Sequence, residues 1–131
     1  MCRPDRPELA YMATPYSHPD PAVASARFRA ACAHLAWLTR QGRHVFGPIP
    51  MSVPTMPYGL PQDWRYWGAF DRNVIGRCDV LIVVMLPGWT DSIGIASEIG
   101  IALELGVGLE FQEPCAEALY LLGGGFDVIY C

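Results

Sequence analysis

Apolar residues follow two different periods along this chain, and the two periods predict strands and helices in alternation. Short apolar runs typical of strands occur at Leu9–Ala13, Arg43–Phe46, Val80–Met85, Val107–Phe111 and, after three glycines, Phe126–Tyr130. Helical periodicity fills the intervals at Asp20 to about Gln41, Pro61–Arg77, Asp91–Leu105 and Glu113–Leu122. The continuous β-branched run Val80–Met85 is typical of a strand that is covered on both faces.

Strands that alternate with helices predict right-handed crossovers and a parallel sheet. We therefore expect an α/β fold, a three-layer sandwich with a parallel flavodoxin-like or Rossmann-like sheet of four to five strands in the order 2-1-3-4. Residues 9–131 are expected to form a single domain after a mobile N-terminal tail at residues 1–8. Ligands of such sheets bind beyond the carboxyl ends of the strands.

Three segments are predicted to lie at that edge of the sheet. Thr14–Pro19 and Pro87–Ser92 are rich in turn residues, and Gly47–Leu60 contains four prolines. We expect Gly47–Leu60 to be an irregular loop, because proline interrupts regular hydrogen bonding. A loop of this length in a compact domain often has a function.

One carboxylate lies on the apolar side of the last long predicted helix. On a helical wheel, Glu98 falls inside an arc formed by Ile95, Ile99, Ala102, Leu103 and Leu105. A carboxylate on a buried face costs free energy unless it is paired or has a chemical function. Glu98 is therefore a candidate catalytic residue, and a buried ion pair is the structural alternative.

Asp71 shows the same pattern on the preceding predicted helix. Its helical neighbours are all apolar, namely Trp64, Trp67, Val74, Ile75 and Cys78. Two inward carboxylates beside the same strand favour a shared chemical role over two separate structural ones.

The start of the Glu98 helix is a second candidate site. Asp91 and Ser92 are good helix caps, and this is the simpler interpretation. Free N–H groups at a helix N-terminus also suit an anion such as a 5′-phosphate, and Gly94 leaves room for its approach. Aromatic residues near the predicted loops, including Tyr16 and Trp89, could stack on a flat base.

Composition limits the classes of function. The chain has 131 residues, a net charge of −4 and no lysine, which disfavours a nucleic-acid partner and excludes a Schiff-base lysine. At 52% hydrophobic and 17% charged residues, we expect a homo-oligomer. Five cysteines without a CxxC motif, and no apparent signal peptide, indicate the cytoplasm. No metal-ligand spacing or membrane-spanning run is present, and we expect no metal, cofactor or membrane partner.

Two motifs resemble the nucleoside 2-deoxyribosyltransferase-like superfamily. Tyr11–Tyr16, YMATPY, resembles its opening Y-[LF]-A-[GS]-P-[YF], and Asp91–Ala102, DSIGIASEIGIA, resembles its D-S-G-[TV]-x-x-E-[LI]-G-x-A block. Asp71, eight residues before Asp79, matches the inward aspartate of the superfamily. The stretch VFGPI at Val45–Ile49 and the pair Gly88–Trp89 are similar to a small, uncharacterised bacterial branch.

The resemblance implies a flavodoxin-like homo-oligomer, a dimer or larger, that acts on a nucleoside or nucleotide. It implies that Glu98 is the nucleophile, that Asp71 and Asp91 contact base or sugar, and that Tyr11 orients the glutamate. Ser92 matches the position that holds the 5′-phosphate in the nucleotide-hydrolysing branch. The superfamily completes its site with a C-terminal residue of a neighbouring subunit, and no residue of Cys115–Cys131 matches that position.

Three functions follow as alternatives. The first is transfer of the sugar of a (deoxy)nucleoside or nucleoside 5′-monophosphate to a second base, as in a deoxyribosyltransferase. The second is a nucleotide N-glycosidase, a hydrolase in which water is the acceptor. The third is a nucleotide-binding module without turnover, since folds of this kind also bind ligands without catalysis.

Overall fold

The structure, a computed structural model, describes residues 5–123 and shows helices packed on both faces of a parallel sheet. Its strands are β1 (Leu9–Ala13), β2 (His44–Phe46), β3 (Val80–Val84) and β4 (Gly108–Gln112). Its α-helices are α1 (Pro21–Arg40), α2 (Pro48–Ser52), α3 (Trp64–Ile75), α4 (Ile93–Leu105) and α5 (Ala116–Leu121). Short 3-10 helices occupy Val53–Tyr58 and Trp89–Asp91.

The four strands are hydrogen-bonded in the order β2-β1-β3-β4, and all three pairs are parallel. This confirms the expected α/β fold and its strand order. The flavodoxin-like order brings β1 and β3 side by side at the centre, where the chain direction across the sheet reverses. The predicted fifth strand, Phe126–Tyr130, lies outside the described residues.

Alternate residues of the two central strands face opposite helix layers. Met12 of β1 packs in one core with α1 and α5, together with alternate residues of β3. Tyr11 and Ala13 pack in the other core, with Ile75 of α3 and Ile95 of α4. Every residue of β3 is buried, as its continuous apolar sequence predicts.

The ends of the helices confirm the local signals in the sequence. Asp20 caps α1 and accepts a hydrogen bond from the backbone N–H of Ala22 at 2.9 Å, with Pro21 at the first helical position. Gly42 and Gly106 adopt positive φ angles of 85° and 73° after α1 and α4. The backbone can leave each helix there without the steric cost that a side chain would add.

The expectation of an irregular loop at Gly47–Leu60 is wrong, because α2 and the first 3-10 helix fill this segment. Pro48 and Pro50 lie in the first turn of α2, where backbone N–H groups need no partner within the helix. Pro54 occupies the equivalent place in the 3-10 helix. Pro48, Pro50 and Pro54 therefore lie at the starts of these two short helices, and Pro57 lies inside the second.

Smaller differences concern the bounds of other elements. The helix expected from Pro61 begins at Trp64, because Asp63 caps it through the N–H of Arg65 at 2.8 Å. The helix expected from Asp91 begins at Ile93. In the predicted N-terminal tail, Arg6 donates two hydrogen bonds to Asp79, at 3.0 and 3.2 Å.

Candidate active site

A cleft of about 670 Å³ opens at the carboxyl ends of β1 and β3. The residues after β1, the α2 segment, and the beginnings of α3 and α4 surround it. Polar and apolar residues both line it, and the apolar ones include Ile49, Val53, Met56, Leu60 and Trp64. A crevice at the point where a parallel sheet reverses its strand order is the usual ligand site of such folds.

Glu98 and Asp71 both line this cleft, and both are buried. Glu98 is 8% exposed on the inner face of α4, and Asp71 is 7% exposed on the inner face of α3. Two helices therefore bring two acids together from opposite sides of one space. The inward direction expected from both helical patterns is confirmed.

The hydroxyl group of Tyr11 contacts both acids. Its hydroxyl lies 2.7 Å from Oε2 of Glu98 and 3.0 Å from Oδ1 of Asp71, and the side chain is fully buried in β1. Both contacts are made by the same phenol oxygen. The two carboxylate oxygens are therefore separated by at most the sum of these two distances. This spacing is compatible with the roughly 5 Å that separates the two acids of a retaining glycosidase.

If both acids are ionised, Tyr11, Asp71 and Glu98 hold only one proton between them, which is too few for two hydrogen bonds. A phenol has one proton to donate, whereas a carboxylate only accepts. Both contacts of Tyr11 become hydrogen bonds when one carboxyl group is protonated and donates to the phenol oxygen. The geometry therefore favours one additional proton shared among Tyr11, Asp71 and Glu98.

Burial shifts the pKa values of this trio in the same direction. It raises the pKa of Glu98 to about 8, with the charge of Asp71 acting the same way and the Tyr11 hydrogen bond acting against it. Burial also raises the pKa of Asp71, again opposed by Tyr11. The pKa of Tyr11 is raised by its own burial and by both acids, so the phenol stays protonated.

The N-terminus of α4 forms the polar edge of the cleft. The Ser92 hydroxyl caps the helix by accepting a hydrogen bond from the N–H of Ile95 at 3.1 Å, which is the simpler role expected for it. Asp91, Ser92 and Gly94 all line the cleft. A Cβ at position 94 would have only the Ser92 hydroxyl within 4 Å, so the space above this turn is open.

Aromatic side chains also line the cleft. Trp64 lines it and is 55% exposed, with its indole against Gly68 one turn later in α3. A Cβ at position 68 would lie 3.1 Å from the indole, so glycine permits this position of the ring. Trp67 also lines the cleft, and its Nε1 donates to the carbonyl of Pro61 at 2.6 Å.

The structure places seven of the eight predicted site residues at the cleft or directly beneath it. Tyr16, Asp71, Asp91, Ser92, Gly94 and Glu98 line it, and Tyr11 lies under its acids. Trp89 is not among the lining residues, and its ring packs 5.8 Å from that of Phe111 on β4. The wheel arc was also partly wrong, because Leu103 and Leu105 are 66% and 39% exposed.

The structure adds Thr14, which is not among the residues predicted from the sequence, to the candidates. Thr14 lines the cleft, is 6% exposed, and its hydroxyl has no hydrogen-bond partner among the described residues. A buried hydroxyl without a partner is uncommon. Its position immediately after β1, at the ligand-binding edge of a parallel sheet, was the available signal.

Residues 5–123 contain no cluster of three or more His, Cys, Asp or Glu side chains arranged to hold a metal ion. Within the same residues, no helix is long and apolar enough to cross a membrane.

Comparisons with known proteins show a likeness to solved structures and a family. A 2-deoxyribosyltransferase from the psychrotolerant bacterium Bacillus psychrosaccharolyticus superposes with a TM-score of 0.57 over 82% of this chain and 74% of its own, at 21% identity. At that identity the likeness concerns the fold. No curated protein matches the chain. The profile of a domain of unknown function, DUF1937, matches residues 8–111, and the chain therefore belongs to this family.

Proposed function

We propose that this protein breaks the N-glycosidic bond of a nucleoside or nucleotide, with Glu98 as the nucleophile. One observation carries the proposal. A single buried hydroxyl, that of Tyr11, holds the carboxyl groups of Glu98 and Asp71 together at the base of a cleft large enough for such a ligand. The fold likeness to an enzyme named 2-deoxyribosyltransferase supports the same general chemistry.

The chemistry requires a carboxylate at the anomeric carbon. Breaking an N-glycosidic bond develops positive charge on the sugar, and a nearby carboxylate stabilises that charge or bonds to the carbon. In the proposed reaction an oxygen of Glu98 attacks C1′ while the electron pair of the C1′–N bond leaves with the base. Asp71 assists departure by giving a proton to a base that needs one.

Tyr11 is proposed to orient Glu98 and to limit its basicity. Its hydrogen bond at 2.7 Å opposes the burial that raises the pKa of the glutamate. The fraction of Glu98 that is ionised near neutral pH is larger with this bond than without it. We therefore assign Tyr11 a positioning role beneath the two acids.

The remaining cleft residues are proposed to hold the ligand. Asp91, Ser92 and Gly94 form the polar edge, where hydroxyl groups of a sugar find partners. Tyr16 and Trp64 offer ring surfaces to a base. For Trp89 we propose a supporting role, since it packs beneath this edge against Phe111.

The acceptor of the sugar distinguishes transferase from hydrolase, and product analysis tests it. Purified protein is incubated with (deoxy)nucleosides and their 5′-monophosphates, with and without a second free base. A new nucleoside identifies transfer, and free base with free sugar identifies hydrolysis. Absence of any product with every ligand would instead support the binding module without turnover.

The variant Glu98→Gln tests the nucleophile. Base release should fall by about 10³-fold or more, because the amide keeps the shape of the side chain and lacks its charge. Glu104→Gln is the matched control, since Glu104 lies on the same helix, is exposed and pairs with Arg72 at 2.6 Å. Activity in Glu98→Gln comparable to that of the control would refute this assignment.

A further inference from the structure

The charges around the cleft have one sign. Asp71, Asp91 and Glu98 line it, and no arginine or histidine is present among the described residues that do so. The chain has no lysine at all. The Arg27 guanidinium, outside this lining, donates to the carbonyls of Ser17 at 2.8 Å and Pro87 at 3.5 Å. No cationic side chain of the described lining therefore balances the acids.

A phosphate is a poor match for such surroundings. Anionic groups in proteins are held by arginine, lysine or free backbone N–H groups. Here the α4 N-terminus offers N–H groups, but Asp91 precedes that helix and the Ser92 hydroxyl caps it. A negative ligand charge would be repelled by the ionised carboxyl groups of this lining.

A positive ligand charge finds favourable partners in the same cleft. Asp71, Asp91 and Glu98 line the cleft, and so does the exposed indole of Trp64. The face of an indole attracts cations, and this attraction increases where water is excluded. The hydroxyl of Thr14, buried on the same lining and without a partner there, offers a hydrogen bond to a polar ligand group such as a sugar hydroxyl.

We propose that the preferred ligand is an N-glycoside whose base carries a positive charge, as in an N-ribosyl pyridinium, without a 5′-phosphate. This inference rests on the proposed function and narrows its substrate class. Trp64 and the acids would bind the cationic ring, and the sugar would lie with C1′ toward Glu98.

The proposed reaction is balanced without a proton donor. Glu98 forms a bond to C1′ as the C1′–N bond breaks, and the electron pair neutralises the ring nitrogen, so the base leaves uncharged. Water then attacks C1′ and releases Glu98, and its proton passes to a cleft carboxylate or to solvent. Asp71 need not act as an acid here, since a pyridine needs no proton to depart.

The ionisation of the acids makes binding of a cationic ligand depend on pH. Tyr11 on β1 and Asp71 on α3 are the titratable groups that face Glu98, with Asp91 at the cleft edge. Burial raises the pKa of Glu98 to about 8, so most of it is protonated at neutral pH. A bound cation favours the ionised acid, and its binding should therefore tighten as the pH rises from 6 to 9.

Binding of two stable analogues tests the proposal. Carbocyclic analogues, in which a methylene group replaces the ring oxygen of the sugar, are resistant to cleavage. The cationic probe has nicotinamide as its base, and the uncharged probe has uracil, a ring of similar size. Calorimetry should show at least tenfold tighter binding of the cationic probe at pH 8, with an advantage that increases with pH.

Variants locate the effect in the cleft. Asp91→Asn and Trp64→Leu should each reduce the advantage of the cationic probe severalfold. Glu117→Gln, an exposed acid on α5 with the same change in net charge, should leave it unchanged. A 5′-phosphate on the cationic probe should weaken its binding.

Two results would overturn the inference. Equal or tighter binding of the uracil probe would refute the charge preference, while Glu98-dependent base release from neutral nucleosides would leave the proposed function intact. Absence of binding by both probes, together with absence of base release from any N-glycoside, would refute both proposals.

Discussion

At the scale of single residues, burial of Glu98 links the chemistry of the cleft to the stability of the chain. The pKa of Glu98 is about 8 in the folded protein and about 4.5 in the unfolded chain. Between these values the unfolded chain ionises first. The stabilising contribution of this residue is therefore full below pH 4.5 and is lost as the pH rises toward 8.

Glu98→Gln should consequently stabilise the protein at high pH. The amide carries no charge to bury, so we expect the free energy of unfolding at pH 9 to rise by a few kcal/mol, about 3 as an order of magnitude. At pH 5 the gain should nearly vanish. Urea denaturation at both pH values measures it, and a loss of stability at pH 9 would show that the buried charge is compensated.

Thr14→Val should separate stability from binding. A buried hydroxyl without a partner costs about 1–3 kcal/mol, and valine has nearly the same shape. We expect unfolding of the unliganded variant to require about 1 kcal/mol more, with roughly tenfold weaker ligand binding. Thr14→Ser keeps the hydroxyl and is the control for binding. A decrease in stability of Thr14→Val would indicate a structural partner.

At the scale of elements, the spacing of apolar residues predicted which side chains point inward within a strand or helix. The apolar run of β3 and the inward faces of Asp71 and Glu98 follow from the spacing of residues within one strand or helix. Leu103 belongs to the same apolar pattern as Glu98, yet it is exposed, because no element of the described chain covers that side of α4. The spacing of apolar residues shows which way a side chain points, but it does not show whether another element covers that side chain.

The local signals of proline and of single polar residues were less informative. Four prolines indicated an interruption of structure, whereas Pro48 and Pro50 lie in a first helical turn, where the missing N–H has no consequence. Nothing in a sequence tells whether the hydroxyl of Thr14 finds a partner, because that depends on contacts between distant segments. Trp89 was likewise assigned to the site from its neighbours in the chain, and its ring points elsewhere.

His34 joins three elements on the face of the sheet opposite to the acids. Its Nδ1 accepts the N–H of Cys115 at 3.1 Å, before α5, and its Nε2 lies 2.8 Å from Oε1 of Gln112 on β4. Since Nδ1 accepts, the neutral ring carries its proton on Nε2. Burial lowers the pKa of His34 below 6.5, although the Gln112 contact opposes this shift.

The contribution of His34 to stability should therefore decrease on mild acidification. Above pH 6.5 His34 is neutral in both states, and below it the unfolded chain gains the proton first, so its contribution is lost as the pH falls. The stability of His34→Gln relative to the wild type should therefore be higher at pH 5 than at pH 7. His44→Gln, at an exposed position, is the control. An equal change in stability between the two pH values in all three proteins would contradict this role of His34.

At the scale of the whole molecule, several large apolar side chains lie on the surface. Tyr58, Ile93 and Leu103 are 88%, 87% and 66% exposed. Exposed apolar surface often marks a contact with a partner. From it and from the apolar composition we predict a dimer or larger assembly. Light scattering of a micromolar solution tests this, and a monomer would contradict it.

The exposed face of α4 offers a more local test of that assembly. Leu103→Glu should shift the protein toward the monomer, because it places a charge on the apolar face. Ala36→Glu introduces the same charge at an exposed position of α1 and should leave the assembly unchanged.

The contact between Trp64 and Gly68 restricts the order in which substitutions can accumulate in descendants of this sequence. Alanine favours a helix over glycine by about 1 kcal/mol, so drift at position 68 is biased toward it. The methyl group of an alanine at position 68 would displace the Trp64 indole by a few tenths of an ångström. A lineage that has already lost the indole gains helix stability freely, whereas in one that retains it the ring must shift to accept the alanine. The history of position 68 is therefore contingent on that of position 64.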